Sequence, residues 1–167
     1  RVGEETANRI GHQASGRGTQ VHAIVEKYLN NEEIDGYLPH VRQSLENLRP
    51  ILDSRIGTIY GLEVPLYSTH LGVAGRCDCV AEFDGVPSIV DFKTSRKPKK
   101  KEWVEDYFLQ LVAYAEAHNE VYGTNIKEGH IFMCSRDLNY QQFDLEPSHY
   151  DYYLDKWLKR VEQFYKL

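Results

Sequence analysis

The sequence predicts a single α/β domain with a central mixed β-sheet flanked by helices. Three observations carry that reading. Apolar residues recur at helical spacing up to about Leu52 and then at alternate positions from Tyr60 onward, so helices precede strands. A later helical stretch separates two groups of strands, giving the order α α β β β α β β α. A chain of 167 residues, 41% hydrophobic and 27% charged, has the size and composition of one globular domain with a real core.

Each element follows in turn. Residues 1–17 are polar and Gly-containing and show no readable pattern, so they stay unassigned at a flexible edge of a domain spanning 1–167. Gly18-Thr19 opens a helix to about Asn30, with Thr19 as its N-cap and Val21, Ile24, Val25, Tyr28 and Leu29 as its apolar stripe. A second helix runs from about Tyr37 to Leu52 along Leu38, Val41, Leu45 and Leu48, and Pro50 is expected to weaken its last turn. Tyr60, Leu62, Val64 and Leu66 then alternate with Gly61, Glu63, Pro65 and Tyr67 as a strand. Val73–Phe83 and Ser88–Lys93 read as two more, joined by the hairpin turn Asp84-Gly85. A helix covers Trp103 to Tyr122 and stops at Gly123. Strands His130–Ser135 and Tyr140–Leu145 follow, and a last amphipathic helix carries Tyr150, Tyr153, Leu154, Trp157, Leu158, Val161 and Phe164.

Composition excludes several classes. No apolar run approaches the ~20 residues of a membrane span, and no signal-peptide pattern opens the chain. The first residue is Arg1 rather than Met, as in a processed form or a fragment. Three cysteines, Cys77, Cys79 and Cys134, argue against a disulfide framework and for an intracellular, reducing compartment. Cys77 and Cys79 are expected on one strand face, either as small buried residues or as metal ligands. The four ligands that structural zinc wants are missing. A net charge of −5 argues against a protein coated in positive charge. It leaves room for a local strip at Arg96, Lys97, Lys99, Lys100 and Lys101, which is either a solvated loop or a nucleic-acid contact.

The hairpin is the most informative stretch. A two-residue turn at Asp84-Gly85 sets Phe83 against Val86 and, counting outward, Asp78 against Asp91. A four-residue loop would set Asp78 against Lys93. In both registers Asp78, Asp91 and Lys93 share one face of the sheet, backed by a core face of Val73, Cys77, Cys79, Ala81, Phe83, Val90 and Phe92. Neighbouring carboxylates repel, which solvation can tolerate and a divalent cation would turn into attraction. A lysine two residues from a metal-binding carboxylate suits phosphodiester cleavage: the cation neutralises the phosphate, and the lysine orients or deprotonates a water or stabilises developing charge. His22 and Glu26 are four apart on the first helix, and His22 is either a further ligand or an ordinary flank residue. Gln110 and Tyr114 show the same spacing on the helix after the basic loop, either packed on the sheet or touching nucleic acid. Glu63 is either a third carboxylate or solvent-facing. Trp103, Tyr107 and Phe108 are either helix packing or surfaces for stacked bases.

In order, these residues resemble the RecB-like branch of the PD-(D/E)XK nuclease superfamily. Gly18-Thr19-x-Val21-His22-x3-Glu26 resembles its G-T-x-x-H helix, and Glu63-Val64-Pro65-Leu66 its glutamate-bearing strand. Gly72-x2-Gly75-Arg76-x-Asp78 resembles the G-x-x-D element, Asp91-Phe92-Lys93-Thr94 the (D/E)-x-K element, and Gln110-Leu111-x2-Tyr114 the Q-x-x-x-Y element. Within the branch, Gly72 to Tyr114 and Tyr153 to Phe164 look similar to the exonucleases of mitochondrial genome maintenance and their phage-type relatives.

The resemblance implies a restriction-endonuclease-like core and a DNA exonuclease that needs Mg²⁺ or Mn²⁺, prefers single-stranded ends and serves DNA repair or replication. His22, Asp78 and Asp91 would bind metal, with the Phe92 carbonyl assisting. Asp78, Asp91, Lys93 and Glu63 would be catalytic, Lys93 as the catalytic lysine. Gln110 and Tyr114 would hold the motif together or touch DNA, alongside the basic strip. Some relatives carry four cysteines around an iron–sulfur cluster, and three cysteines give no reason to expect one here. The partner is DNA, with no membrane, in a host cytoplasm or a mitochondrial matrix. Two alternatives remain: a structure-specific endonuclease on the same fold, which would cut closed circles, and a DNA-binding module without catalysis.

Overall fold

The computed structural model describes residues 3–167. Helix α1 (Glu4–Leu29) and helix α2 (Pro39–Arg55) precede strands β1 (Ile56–Ser68), β2 (Val73–Phe83) and β3 (Val86–Ser95). A short 3-10 turn at Lys101–Trp103 leads into α3 (Glu105–Tyr122), then β4 (Gly129–Ser135), β5 (Tyr140–Leu145) and α4 (Pro147–Tyr165). The five strands lie side by side in chain order. Neighbours run antiparallel except β3 and β4, which are parallel because α3 returns the chain to the same end of the sheet. The mixed sheet and its helical layers match the sequence expectation.

Each face of the sheet carries its own core. Val21, Ile24 and Val25 of α1 and Val41, Leu45 and Leu48 of α2 pack on Ala81, Phe83, Val90, Phe92 and Phe132. On the other face, Phe108, Leu111, Val112 and Ala115 of α3 and Tyr150 of α4 cover Leu66, Val80, Ile89, Ile131 and Met133. Burying one such large apolar side chain is worth about 1.5–3 kcal/mol, so the two layers hold the sheet rigid between them. The face bearing Asp91 is therefore also a packed face, not the solvent side of a half-buried sheet.

Four local expectations change. First, α1 begins at Glu4, far ahead of Gly18, so most of the unassigned segment is helical; residues 1 and 2 lie outside the described residues. Its exposed, polar surface has no apolar stripe to read, while Glu4 and Glu5 in the first turn suit the helix dipole. Second, Thr19 is inside the helix, its hydroxyl donating back to the Ser15 carbonyl at 3.1 Å rather than capping. Gly18 marks close approach instead of a start, since a Cβ there would lie 3.1 Å from Thr94 Oγ1 on β3. Third, α2 continues through Pro50 to Arg55. Fourth, Trp103 belongs to the 3-10 turn, so α3 starts two residues later. Gly123 ends α3 as expected, in the left-handed conformation with φ 67°.

Candidate active site

The Asp84-Gly85 turn is the two-residue form, pairing Phe83 with Val86, and the ladder continues to Cys79 opposite Val90. The next pair in this register is Asp78 and Asp91. Regular pairing stops there. Instead, an Asp78 carboxylate oxygen accepts the Phe92 N–H at 2.9 Å, a side chain taking the place of a backbone partner. The alternation of β2 slips at the same point. Cys77 packs with the α3 layer and Cys79 with the α1–α2 layer, although regular pleating would put both on one face. The expectation of one shared cysteine face fails for that reason. Asp78, at the slip, turns toward His22 of α1, and Nδ1 of His22 lies 3.5 Å from its Oδ1.

On β1, Glu63 has φ of 49°, a left-handed conformation inside a strand. For a non-glycine residue this costs about 1–3 kcal/mol and needs the surroundings to hold it. The result is that Glu63, His22 and Asp78 each offer a ligand atom within 4.8 Å of the others. Glu63 thus joins the acidic cluster. Glu26, four residues after His22, contributes through its charge on Glu63.

Asp91 is only 3% exposed. Burial, then the charge of Asp78, pushes its carboxyl up to about 7, although Lys93 pulls the other way. Asp78 is also mostly buried, which opposes ionisation, but hydrogen bonds from His22, from the Asp91 carboxyl and from the Phe92 N–H win and hold it below the ordinary carboxylate range. His22 is raised, chiefly by its hydrogen bond to Asp78. Glu63 is raised by partial burial and then by Asp78 and Glu26.

Lys93 completes the centre. Its Nζ lies 2.8 Å from Asp91 Oδ2 and donates to Gln110 Oε1 at 2.6 Å. The Gln110 amide donates in turn to the Tyr114 hydroxyl at 3.2 Å. The helical spacing that put Gln110 and Tyr114 on one face thus serves to fix the lysine. Tyr107, one turn before Gln110, carries both Lys93 and Lys99 over its ring, at 5.1 and 5.2 Å, and its hydroxyl accepts from Lys99 at 2.9 Å. Sequence reasoning left Tyr107 between helix packing and base stacking, yet its i, i+3 spacing to Gln110 was a signal for a place beside the lysine. Phe108, by contrast, is core, packed against Tyr153. Trp103 is exposed, with Lys100 over its ring.

The basic strip spreads from this centre. Gln141 on β5 grips the Lys99 backbone from both sides, at 2.7 and 2.8 Å. The Lys97 carbonyl accepts the Ser95 hydroxyl. Arg96, Lys97, Lys100 and Lys101 keep exposed side chains near the end of β3.

The donor set fits a hard divalent cation. Carboxylates from Glu63 and Asp78 with the imidazole of His22 are a suitable first coordination group, in which Glu63 stands where the sequence expectation had Asp91. Asp91 Oδ2 is buried and finds no aligned hydrogen-bond donor, its contact with Lys93 being an ion pair by distance alone. Such an oxygen has a lone pair to give. The three cysteines are buried and remote in kind from this set: Cys77 lies on one face, and Cys79 and Cys134 on the other.

Comparison with known proteins gives the family. The family model of the PD-(D/E)XK nuclease superfamily matches residues 39–165. Mitochondrial genome maintenance exonuclease 1 of Mus musculus is 30% identical over 161 residues, covering 89% of this chain and 45% of that protein. Its counterparts in Homo sapiens and Xenopus tropicalis are 27% and 28% identical, again over 45% of their lengths. The chain thus spans a little under half of these relatives. Among solved structures, a protein of Eubacterium rectale provisionally assigned as an exonuclease superposes with a TM-score of 0.58 at 16% identity, covering 88% of this chain and 64% of that one.

Proposed function

The chain belongs to the PD-(D/E)XK nuclease superfamily, and from that premise we propose that it is a metal-dependent DNA exonuclease acting on single-stranded ends. The observation that carries the proposal is the buried Asp91 set between Asp78 and Lys93, with His22 and Glu63 beside Asp78. A merely structural cluster gains nothing from a raised, unsatisfied carboxyl at its centre.

In this reading His22, Glu63, Asp78 and Asp91 hold Mg²⁺ or Mn²⁺. When bound, the cation supplies positive charge to the phosphate and acidity to a water. The chain's own groups do the rest. Gln110 and Asp91 hold the Lys93 ammonium in place, so it meets the phosphate and the water without searching for a rotamer. Lys93 orients the water and counters negative charge as the water oxygen bonds to phosphorus. The bond from phosphorus to the 3′-oxygen breaks, leaving a 5′-phosphate and a 3′-hydroxyl.

Two features support action on single-stranded ends. The relatives carry the name exonuclease. A cleft of about 480 Å³ opens beside Lys93 between the start of β2, α3 and α4, walled by Tyr107, Tyr114 and Trp157. Flat aromatic walls suit an unpaired base, and a base in a duplex must first leave its stack. The free, buried cysteines are in keeping with a reducing compartment. Among the described residues no helix is long and apolar enough to cross a membrane.

The test is digestion of labelled single-stranded DNA, linear and circular in parallel, with Mg²⁺ and with EDTA. Loss of the linear form alone, only with metal, is the expected result. Loss of both forms indicates an endonuclease. Loss of neither, with binding retained, indicates a DNA-binding module.

A further inference from the structure

Two residues beyond Lys93, the chain meets a second group of cations. The Ser95 carbonyl accepts the Arg17 guanidinium of α1 at 2.5 Å and the Arg136 N–H at 2.9 Å. Arg17, Arg96 and Arg136 converge there, with His40 from α2, on a cleft of about 560 Å³. Among the described residues none of these three guanidiniums has a carboxylate within ion-pair reach, whereas Arg49, Arg55 and Arg160 each have one. The nearest acid in sequence, Asp137, is turned to Ser135 and Asn139. Burial and then the Arg136 charge lower the Arg17 guanidinium below its ordinary value, so the like charges oppose one another. In a chain of net charge −5, three unneutralised arginines around one cleft call for an anion. Guanidinium forks match phosphate oxygens in pairs.

We propose that this cleft is a second phosphate site, on the α1–α2 side of the reacting centre. It rests on the nuclease reading and names where the substrate runs. The strand crosses the end of β3, with a base in the aromatic cleft beside Tyr107 and a neighbouring phosphate between Arg17, Arg96 and Arg136. The same chemistry would also hold the phosphate of a released mononucleotide, and the experiment separates the two.

Arg136→Ala and Arg136→Lys are compared with the parent in EDTA, where no cleavage occurs. Binding of a labelled oligothymidylate is followed by anisotropy across a salt series. The Arg136 side chain is exposed, so neither change disturbs the core; thermal melting checks this. Arg136→Ala is expected to weaken binding about tenfold and to lower the salt slope by about one phosphate, with Arg136→Lys recovering most of the loss. Displacement of the oligonucleotide by thymidine 5′-monophosphate in the parent but not in Arg136→Ala assigns the site to the product; no displacement assigns it to the strand. Equal affinity and equal slope for parent and Arg136→Ala overturn the inference while leaving the nuclease reading intact. A parent that neither binds the oligonucleotide nor cuts DNA with Mg²⁺ overturns both.

Discussion

Asp91 shows how a single position carries opposed demands. Its carboxyl is buried, faces Asp78 and is raised to about 7, so the metal-free fold bears its cost as it ionises. A raised carboxyl contributes stability that is present below its unfolded value near 4 and is lost as pH rises through about 7. His22, also raised, loses its contribution over the pH range above its ordinary value. Metal-free protein should therefore melt at a lower temperature as pH goes from 5 to 8, and Asp91→Asn should flatten that trend while abolishing cleavage. Mg²⁺ should reverse it, because it binds the ionised groups. Melting curves across this range, with and without Mg²⁺, check all three outcomes, and an identical slope for parent and Asp91→Asn contradicts the assignment. At this scale the hairpin count left Asp78 opposite either Asp91 or Lys93, and the observed two-residue turn selects the register of the first as far as the Cys79–Val90 pair. The slip at Asp78 and the left-handed Glu63 were not legible, since both depend on neighbours that only the folded sheet brings together.

Among the elements, α1 illustrates the limits of periodicity. Its apolar stripe starts at Val21, so the polar turns before Gly18 gave no signal, although they carry Arg17 to the end of β3. Gly18 permits the close approach to Thr94 and thereby sets His22, one turn on, against Asp78. Gly18→Val should push α1 off β3, cost about 1–3 kcal/mol by overpacking and weaken metal binding several-fold. Titration calorimetry with Mn²⁺ checks this, and an unchanged Kd would show that α1 does not position the ligand. Strand β3 lies at the other extreme: its alternation and its D-x-K spacing were readable, although it runs over Val86–Ser95 rather than Ser88–Lys93.

For the whole molecule, net charge misleads unless its distribution is known. A chain of net charge −5 still brings six cations to one end of β3: Lys93, Lys99 and Lys100 toward α3, and Arg17, Arg96 and Arg136 toward α1. Replacing Lys97, Lys100 and Lys101 together by Ala should weaken oligonucleotide binding and flatten its dependence on salt, whereas an unchanged slope returns the strip to a solvated loop. The layered α/β architecture was legible because element order and period are properties of the chain itself. Which elements meet across the site was implied only by the family resemblance and not by the periodicity, because α1 and α3 reach it from opposite faces of the sheet. The account turns on the proposal that Lys93 acts on the substrate but does not hold the metal. The most direct measurement is paired Mn²⁺ calorimetry and single-turnover cleavage of linear single-stranded DNA by the parent and Lys93→Ala. Metal affinity within about threefold of the parent, with cleavage slower by at least about a hundredfold, is the predicted result. Loss of metal binding in step with loss of cleavage would contradict it and make Lys93 a structural part of the cluster.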